Sequence, residues 1–286
     1  MKLVRFGEPG RERPGLWLED HGSPEILDVR AMAFDIADFD AHFFTHWGLA
    51  RLRALLREKK QPRIPAQGIR LGPPLPPPTN LVCVGKNYAD HAAEFDGQPP
   101  AAPVLFAKSP ASLIGPRDSI RIPDGFCDVD AEAELAVVIG APAHRVPESR
   151  ALEVIAGYTV LNDVTERRAQ REAGQWFRGK SFDTFCPLGP WLVTVDEIPD
   201  PQQIRVASRI NGVALQNGHT RDMLFPVAHL IAYITATLTL QPGDIIATGT
   251  PTGVGFARKP PVLLKAGDTI EVEIEGVGTL RNGVGS

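Results

Sequence analysis

The sequence predicts an α+β protein that is rich in β-structure. Three observations favour this class: many short apolar runs broken by glycine and proline, few long helical patterns, and no regular alternation of strand and helix. The chain has 286 residues, of which 43% are hydrophobic and 22% charged. This composition is typical of a globular protein and excludes the disordered and collagen-like classes.

Charge and cysteine content exclude several partners. The chain has 30 Lys and Arg against 34 Asp and Glu, a net charge of −4, which argues against a nucleic-acid surface. We expect no signal peptide, and no membrane segment, because the apolar stretch 230–240 is shorter than the roughly 20 residues that span a bilayer. The cysteines, at positions 83, 127 and 186, form no C-x-x-C pair. They predict a reduced, cytoplasmic setting without disulfides or a zinc ribbon.

Residues 1–72 are predicted to form a small N-terminal domain. Three short strand candidates, MKLVRF, PGLWLE and ILDVRAM, precede a helix predicted over 38–60. In that helix apolar residues recur with a period near 3.6, and Asp38 is the expected N-cap. The proline-rich connector GPPLPPP (72–78) interrupts both helices and central strands, so we place the boundary there. Residues 73–286 form the second, larger domain.

The larger domain is predicted to be built mainly of strands. We expect one short helix around 151–154 and one over about 227–237. Many strands with few helices favour an antiparallel or mixed core over βαβ repeats. The predicted strands are LVCVG (81–85), VLFAK (104–108), SIRI (119–122), ELAVVIG (134–140), GYTVLND (157–163), WLVTV (191–195), IRVASRING (204–212), DIIATG (244–249) and DTIEVEIEGVG (268–278).

Two glutamates stand at the start of the apolar run LAVVIG. On a strand, residues two apart point to one face, so Glu132 and Glu134 are expected to face the same point. Two carboxylates repel each other unless a cation lies between them, and Mg²⁺ or Mn²⁺ prefers such oxygen ligands. The alternative is a solvated strand edge. Asp128 and Asp130 continue the same alternation, so spacing does not decide which pair would bind a metal.

A third acidic candidate, Asp163, follows the apolar run AGYTVL. A carboxylate at the end of a buried strand often lies in a cleft, so Asp163 is a candidate third ligand. The alternative is an Asx turn or a helix N-cap for the residues from 164 onward.

His91 and Glu94 lie three residues apart in NYADHAAEFDG and would share one face of a helix. Glu94 would then orient His91 and raise its basicity, which makes His91 a candidate general base for a water molecule. The alternative is a surface pair on a short exposed helix. The sequence GQPP (97–100) would end this helix, so the segment is also a candidate mobile lid.

Two glycine-containing segments are candidates for anion binding. GQWFRGKS (174–181) has the spacing of a phosphate loop, but no buried strand precedes it and FCPLGP (185–190) cannot begin a helix, so ATP binding is not expected. Lys180 is better suited to stabilise an oxyanion or an enolate. TGTPTGVG (248–255) does not match a dinucleotide loop. Its glycines and threonines favour either close approach to a small anion or a simple tight turn.

Taken together and in this order, these segments resemble the fumarylacetoacetate hydrolase family. The N-terminal segment MKLVRFGEPGRERPGLWLED is also similar to the small N-terminal domain of many bacterial members. The resemblance implies a mixed β-roll core that binds one Mg²⁺ or Mn²⁺. It spans about residues 80 to 280 and is carried by VGKNYADHAAE, FAKSPASLIGP, AEAELAVVIG, AGYTVLNDVTERRAQ, GQWFRGKSFDTFCPLGPWLVT, LQPGDIIATGTPTGVG and KPPVLLKAGDTIEVEIEGVG.

The resemblance also implies roles for the residues that match the family's motifs. It decides between the acidic pairs left open above, and the implied metal ligands are Glu132, Glu134 and Asp163. The implied catalytic residues are His91, Glu94 and Lys180. The residues expected to contact the substrate are Lys86, Tyr88, Lys108, Gln170 and Thr250. Two positions depart from the family, since Lys86 stands where several members carry arginine and Ala131 where an aromatic residue is common.

The implied activity is hydrolytic cleavage of a C–C bond in a small 2-oxo or 1,3-diketo acid, acylpyruvate-like or a diketo-deoxy sugar acid, through an enolate. Isomerase, decarboxylase or ureidoglycolate-type lyase chemistry at the same site is the alternative within the family. A non-catalytic binding protein on the same core is an alternative of another class, and the presence of His91 and Lys180 argues against it. The resemblance further implies a homodimer.

Overall fold

Two β-sheets that pack against each other organise the chain, and short helices connect their strands. The computed structural model describes residues 1–19, 22–94 and 98–286. Residues 95–97 of the candidate lid lie outside the described residues. The predicted β-rich α+β class is confirmed.

Short strands and a few short helices make up the regular structure. The strands are β1 (Lys2–Phe6), β2 (Arg13–Leu18), β3 (Glu25–Asp28), β4 (Arg63–Pro65), β5 (Leu81–Gly85), β6 (Val104–Ala107), β7 (Leu113–Ile114), β8 (Ile120–Arg121), β9 (Val129–Asp130), β10 (Ala133–Ile139), β11 (Ile155–Asn162), β12 (Thr165–Glu166), β13 (Cys186–Thr194), β14 (Arg205–Ile210), β15 (Val213–His219), β16 (Ile245–Ala247), β17 (Thr269–Ile274) and β18 (Gly278–Gly285). The helices are α1 (Ala41–Thr45), α2 (Gly48–Leu55), α3 (Ala89–Ala93), α4 (Arg167–Glu172), α5 (Phe177–Lys180) and α6 (Val227–Thr235).

The larger sheet has 11 strands in the order β4-β3-β2-β1-β13-β11-β10-β16-β5-β6, with β7 beside β13. Most neighbours are antiparallel, but β5 runs parallel to β16, so the sheet is mixed. The second sheet has five strands in the order β15-β14-β17-β18-β8. The mixed β-architecture expected from the resemblance is confirmed.

The central strand β10 is buried on both faces, which places the core on either side of it. Leu135 and Val137 pack toward the second sheet, whereas Ala136 and Val138 pack toward the N-terminal segment. Side chains of a strand alternate between its faces, so this uninterrupted apolar run suits a strand that is covered on both sides. The same alternation directs Glu132, just before the strand, and Glu134, on the strand, toward one face.

The N-terminal strands join the large sheet, because β1 pairs antiparallel with β13. The terminal ammonium of Met1 adds to this pairing by donating to Thr194 Oγ1 at 2.7 Å. The boundary predicted between residues 72 and 73 lies in an extended connector between β4 and β5. Independent folding of residues 1–72 stays a prediction.

The single helix predicted over 38–60 is wrong, because the structure has two helices there, α1 and α2. Trp47 separates them with a left-handed backbone at φ 61°, which ends a right-handed helix. Asp40, and not Asp38, is the N-cap, and its side chain accepts from the Phe43 amide at 2.9 Å. Asp38 binds the Arg5 guanidinium instead, with a shortest distance of 2.7 Å.

Other predicted elements differ mainly in their bounds. The strand predicted over 268–278 ends at Ile274 as β17, which pairs with the following strand β18, and neither β15 nor β18 was predicted. The short helix around 151–154 is a 3₁₀ turn over Glu148–Val154, and the helix near 227–237 is α6. The cysteines are free thiols. Across the described ranges, no helix is long and apolar enough to cross a membrane.

Candidate active site

Several strand ends meet at one end of the large sheet. The start of β10 lies beside the end of β11, because the two strands are antiparallel and Ala133 pairs with Asn162. The backbone amide of Asp163 donates to the Glu132 carbonyl at 2.9 Å, which extends this pairing. Strand β16 is antiparallel to β10 and parallel to β5, so the residues that follow β5 and β16 arrive at the same edge.

Three carboxylates converge at this edge. Glu132, Glu134 and Asp163 each place a carboxylate oxygen within 4.8 Å of the others. All three side chains are buried. The structure therefore brings together the three acidic residues that the sequence predicts as metal ligands, and we call them the acidic triad.

Two lysines bind the acidic triad from different sides. The Lys180 ammonium donates to Glu132 Oε2 and to Asp163 Oδ2, both at 2.5 Å. Lys108 donates to Asp163 Oδ1 at 2.7 Å and to the Val164 carbonyl at 3.2 Å, and it also contacts the Lys180 carbonyl. Both Asp163 oxygens are thus bound by ammonium groups, which holds this carboxylate in one orientation.

Arg167 is a site residue that the sequence analysis did not identify. It is buried, lines the cleft and donates to Asp130 Oδ2 at 2.6 Å, with Glu132 Oε1 also at 2.6 Å. Of the acids that alternate before and along β10, Asp130 therefore forms an ion pair with Arg167, whereas Glu132 and Glu134 belong to the acidic triad. A signal was available, because Arg167 lies in the same NDVTERRAQ segment as Asp163.

The acidic triad and its contacts contain more negative than positive charge. Within the described residues, four buried carboxylates (Asp130, Glu132, Glu134, Asp163) meet three buried cations (Lys108, Arg167, Lys180). One negative charge is therefore uncompensated, and the hydrogen bonds show where it lies. Among the described contacts, Glu134 accepts only from the Gly249 amide, at 2.8 Å.

Burial and neighbouring charges separate the pKa values of the two glutamates. Burial raises the pKa of Glu134 well above its ordinary value, and the Asp163 and Glu132 carboxylates raise it further. Burial alone would also raise the pKa of Glu132, but Lys180 and Arg167 outweigh it and hold that pKa below its ordinary range. Glu134 is therefore the acidic triad member that binds a proton most readily.

His91 on α3 and Glu94, which directly follows this helix, form a pair beside the acidic triad. His91 Nδ1 lies 2.9 Å from Glu94 Oε2, and the other Glu94 oxygen accepts from the Gly253 amide at 2.7 Å. Burial opposes ionisation of Glu94, but these two hydrogen bonds lower its pKa below the ordinary value. An ionised carboxylate only accepts, so the His91 Nδ1 beside it carries a hydrogen, and in the neutral form of the ring Nε2 would be the acceptor.

These groups face one cleft with a volume of about 190 Å³, which suits a small molecule. Aromatic rings form part of its wall, since Phe106 lies 5.2 Å from the Trp176 ring and the Lys180 ammonium lies 5.2 Å from the Phe106 ring. The predicted site residues that line the cleft are Lys86, His91, Glu132, Glu134, Asp163, Gln170, Lys180 and Thr250.

Comparison with known proteins decides the family. Residues 80–285 match the family described as fumarylacetoacetate (FAA) hydrolase C-terminal. The chain belongs to the fumarylacetoacetate hydrolase family. It is 48% identical over 285 residues to a Burkholderia multivorans protein named as a hydrolase, which covers 97% of this chain and 96% of the relative. The predicted family membership is confirmed.

Solved structures of the family superimpose on the whole chain. A fumarylacetoacetate hydrolase from Exiguobacterium antarcticum is 40% identical, with a TM-score of 0.85 over 100% of this chain and 99% of that one. Maleylpyruvate hydrolase from Sphingobium sp. SYK-6 is 33% identical, with a TM-score of 0.80 and coverage of 100% and 99%. A 2-hydroxyhepta-2,4-diene-1,7-dioate isomerase from Mycobacterium marinum is 34% identical, with a TM-score of 0.76 and coverage of 100% and 98%.

Two residues expected to contact the substrate lie elsewhere. Lys108 is 1% exposed and is not among the residues that line the cleft, because its ammonium lies behind Asp163. Tyr88 is also buried outside the lining, and its hydroxyl has no hydrogen-bond partner among the described residues. The geometry gives Lys108 a different contact from the expected one, since it orients a carboxylate.

A divalent cation fits the acidic triad on two observations. The donor set is three carboxylates, and Mg²⁺ and Mn²⁺ both favour oxygen ligands of this kind. Such an ion would supply the positive charge that Glu134 lacks among its described contacts. The family generally uses a divalent metal, and these features support binding of such an ion by this chain.

Proposed function

We propose that this protein is a divalent-metal-dependent hydrolase that cleaves a C–C bond in a small 2-oxo or 1,3-diketo acid, acylpyruvate-like or a diketo-deoxy sugar acid. The observation that supports this most is that a candidate general base and the acidic triad line one cleft. The base is His91, which is hydrogen-bonded to Glu94, and the triad is Glu132, Glu134 and Asp163. We propose Mg²⁺ or Mn²⁺ as the ion.

A divalent ion held by the acidic triad would polarise substrate oxygen atoms as a Lewis acid. In the proposed reaction, His91 Nε2 takes a proton from a water molecule while Glu94 stabilises the charged ring. The hydroxide adds to the acyl carbonyl carbon, and the bond from that carbon to the neighbouring CH₂ breaks. The electron pair moves into an enolate, and a proton returned to the CH₂ carbon gives the second product, an oxo acid.

We propose that Lys180 stabilises the enolate. An ammonium has three hydrogens, and two of them point to Glu132 and Asp163. The third remains for a substrate oxygen in a cleft where burial strengthens electrostatic interactions. We propose that Lys86, Gln170 and Thr250, which line the same cleft, bind the rest of the substrate.

Product analysis tests the reaction. The purified protein with Mg²⁺ or Mn²⁺ is incubated with a panel of acylpyruvates, diketo sugar acids, 2-oxo diacids and ureidoglycolate, and products are identified by mass spectrometry. We expect a carboxylic acid and an oxo acid in equal amounts. His91→Ala and Lys180→Ala should each lower kcat by about 100-fold or more while the fold survives. Near-normal turnover by either variant would remove the proposed mechanism.

An isomerase is the second candidate, because a structure of similar fold over the whole chain is named 2-hydroxyhepta-2,4-diene-1,7-dioate isomerase. In that reaction the enolate is protonated at another carbon, and no water is added. Incubation in H₂¹⁸O separates the two, since only a hydrolase incorporates ¹⁸O into a new carboxylate. A product that lacks the label and has the mass of the substrate would favour the isomerase.

We also propose that the chain forms a homodimer in the cytoplasm. The end strand β6 carries only apolar residues and leaves Leu105 41% exposed, and a second copy would cover such an edge. The free cysteines agree with a reducing compartment. Light scattering of the purified protein tests the assembly, and a monomeric mass would contradict it.

A further inference from the structure

Gln216 lies on β15, in the second sheet, and its side chain is buried. Its amide oxygen accepts from the Ala133 amide at 3.0 Å and from the Ser208 hydroxyl at 2.9 Å. Its amide nitrogen donates to Thr250 Oγ1 at 2.6 Å and to the Pro251 carbonyl at 2.8 Å. A glutamine amide has two acceptor and two donor positions, so this side chain uses all four.

These contacts complete the sheet where a strand is missing. Strand β16 pairs with β10 only along Ala136–Val138, and then leaves the sheet as the loop that contains Thr250. The backbone of Ala133, farther along β10, therefore has side chains as its partners on that side. Gln216 accepts from its N–H, and Thr250 Oγ1 donates to its C=O at 2.9 Å. Gln216 also binds Thr250, which closes a ring of three hydrogen bonds.

The position of this ring connects it to the acidic triad. Ala133 stands between Glu132 and Glu134, so its two flanking peptide planes set the direction in which both carboxylates leave the backbone. The loop held by Gln216 begins one residue after Gly249, whose amide binds Glu134. One side chain from the second sheet thus fixes both the backbone between two proposed ligands and the loop that binds one of them.

We infer that Gln216 is a positioning residue that holds Glu132, Glu134 and the Thr250 loop in the geometry that binds the metal. This inference rests on the proposed function, because it assumes that the acidic triad binds a divalent metal. Groups that orient metal ligands typically affect affinity or activity by about 10-fold to 100-fold when they are replaced. A residue that only stabilised the fold would change the thermal midpoint and leave the metal affinity unaltered.

The test compares Gln216→Met with Asn282→Leu. Both variants replace a buried amide of the second sheet by an apolar side chain of similar size. Asn282 is a matched control because its amide donates to the Gly115 and Asp118 carbonyls, at 3.0 and 2.8 Å, and these residues do not line the cleft. Mn²⁺ affinity is measured by calorimetry on protein stripped of metal. Hydrogen–deuterium exchange follows the backbone amides of Ala133, Gly249 and Thr250.

We expect Gln216→Met to weaken Mn²⁺ binding by about tenfold. Exchange of the Ala133 amide should be at least about five times faster, as expected for the loss of one hydrogen bond. Asn282→Leu should change neither quantity, although it lowers the thermal midpoint. Gln216→Asn, which keeps the amide on a shorter side chain, should behave as Gln216→Met does and serves if the methionine variant does not fold.

Three outcomes would overturn the inference: unchanged Mn²⁺ affinity in Gln216→Met, unchanged exchange at Ala133, or an equal loss of affinity in Asn282→Leu. If the unaltered protein binds no Mn²⁺, the proposed function fails instead. The exchange rates of the Ala133, Gly249 and Thr250 amides in the metal-free variants then test whether Gln216 positions this backbone, and unchanged rates reject it.

Discussion

Replacing Glu134 by glutamine is expected to stabilise the metal-free protein, although it removes a proposed metal ligand. Glutamine has the shape of glutamate, and its amide oxygen can still accept from the Gly249 amide. The change therefore removes a negative charge and leaves the contact in place. In the described structure this charge has no cation bonded to it, so its loss relieves repulsion.

The size of the effect follows from the distances. Two unit charges 4.8 Å apart, the upper limit within the acidic triad, repel by about 3–4 kcal/mol at an effective dielectric constant of 20. Lys180 lies against both Glu132 and Asp163 and offsets most of this repulsion. A remainder on the order of 1 kcal/mol would raise the thermal midpoint by about 2–4 °C.

Glu132→Gln is the matched control, because it makes the same chemical change two residues away. Glu132 accepts from Lys180 at 2.5 Å and lies 2.6 Å from the Arg167 guanidinium. Breaking a buried ion pair from one side typically costs about 3–5 kcal/mol, so this variant should melt at least about 6 °C lower. Calorimetric melting in EDTA at pH 7 measures both variants, and Mn²⁺ titration should show weakened binding in each.

The pH dependence gives a second readout with a definite sign. A carboxyl whose pKa is raised by folding binds its proton more tightly in the folded state, so stability falls as pH rises above the ordinary pKa of 4.5. The metal-free protein should lose stability over this range, and Glu134→Gln should lose less. A lower melting point for Glu134→Gln, similar to that of Glu132→Gln, would refute the reasoning about uncompensated charge.

Three further predictions follow from individual contacts. Lys108→Met leaves Asp163 Oδ1 without its cation, so urea denaturation should show a loss of about 3–5 kcal/mol, and an unchanged midpoint would contradict the orienting role. Gly253→Ala forces a side chain onto φ +100° and should displace the amide that binds Glu94. Turnover should fall by at least about tenfold while Mn²⁺ affinity stays unchanged, whereas normal turnover would show that this anchor is dispensable. Because a metal competes with the proton of Glu134, Mn²⁺ affinity measured by calorimetry should rise with pH, and a flat profile would count against this ligand.

Strand alternation, a local rule, placed Glu132 and Glu134 on one face, whereas the family resemblance identified the acidic triad as a set. Glu132 and Glu134 share a face for the same reason that Ala136 and Val138 do. The choice between the acidic pairs needed information from outside the strand. Asp130 instead binds Arg167, whose position depends on the path of the chain after β11.

Other features depended on packing that no local pattern contains. Strand β18 was not predicted, because Asn282 occupies a buried position between Leu280 and Val284 and interrupts their apolar alternation. Lys108 was expected to contact the substrate because it matches a lysine of the family's motif, and a motif does not show whether a side chain is buried. The buried Lys108 ammonium is stabilised by hydrogen bonds to Asp163 and to the carbonyls of Val164 and Lys180.

The arrangement of fixed charges has a consequence for metal binding. Lys180 and Arg167 lower the pKa of Glu132, so this ligand is already ionised before an ion arrives. Ligands must be deprotonated to bind a metal, and Glu134 is the acidic triad member whose pKa is raised. Proton release on binding is therefore concentrated at one carboxylate. Binding of a divalent ion would also change the uncompensated charge from one negative to one positive, which favours an anionic substrate in the cleft.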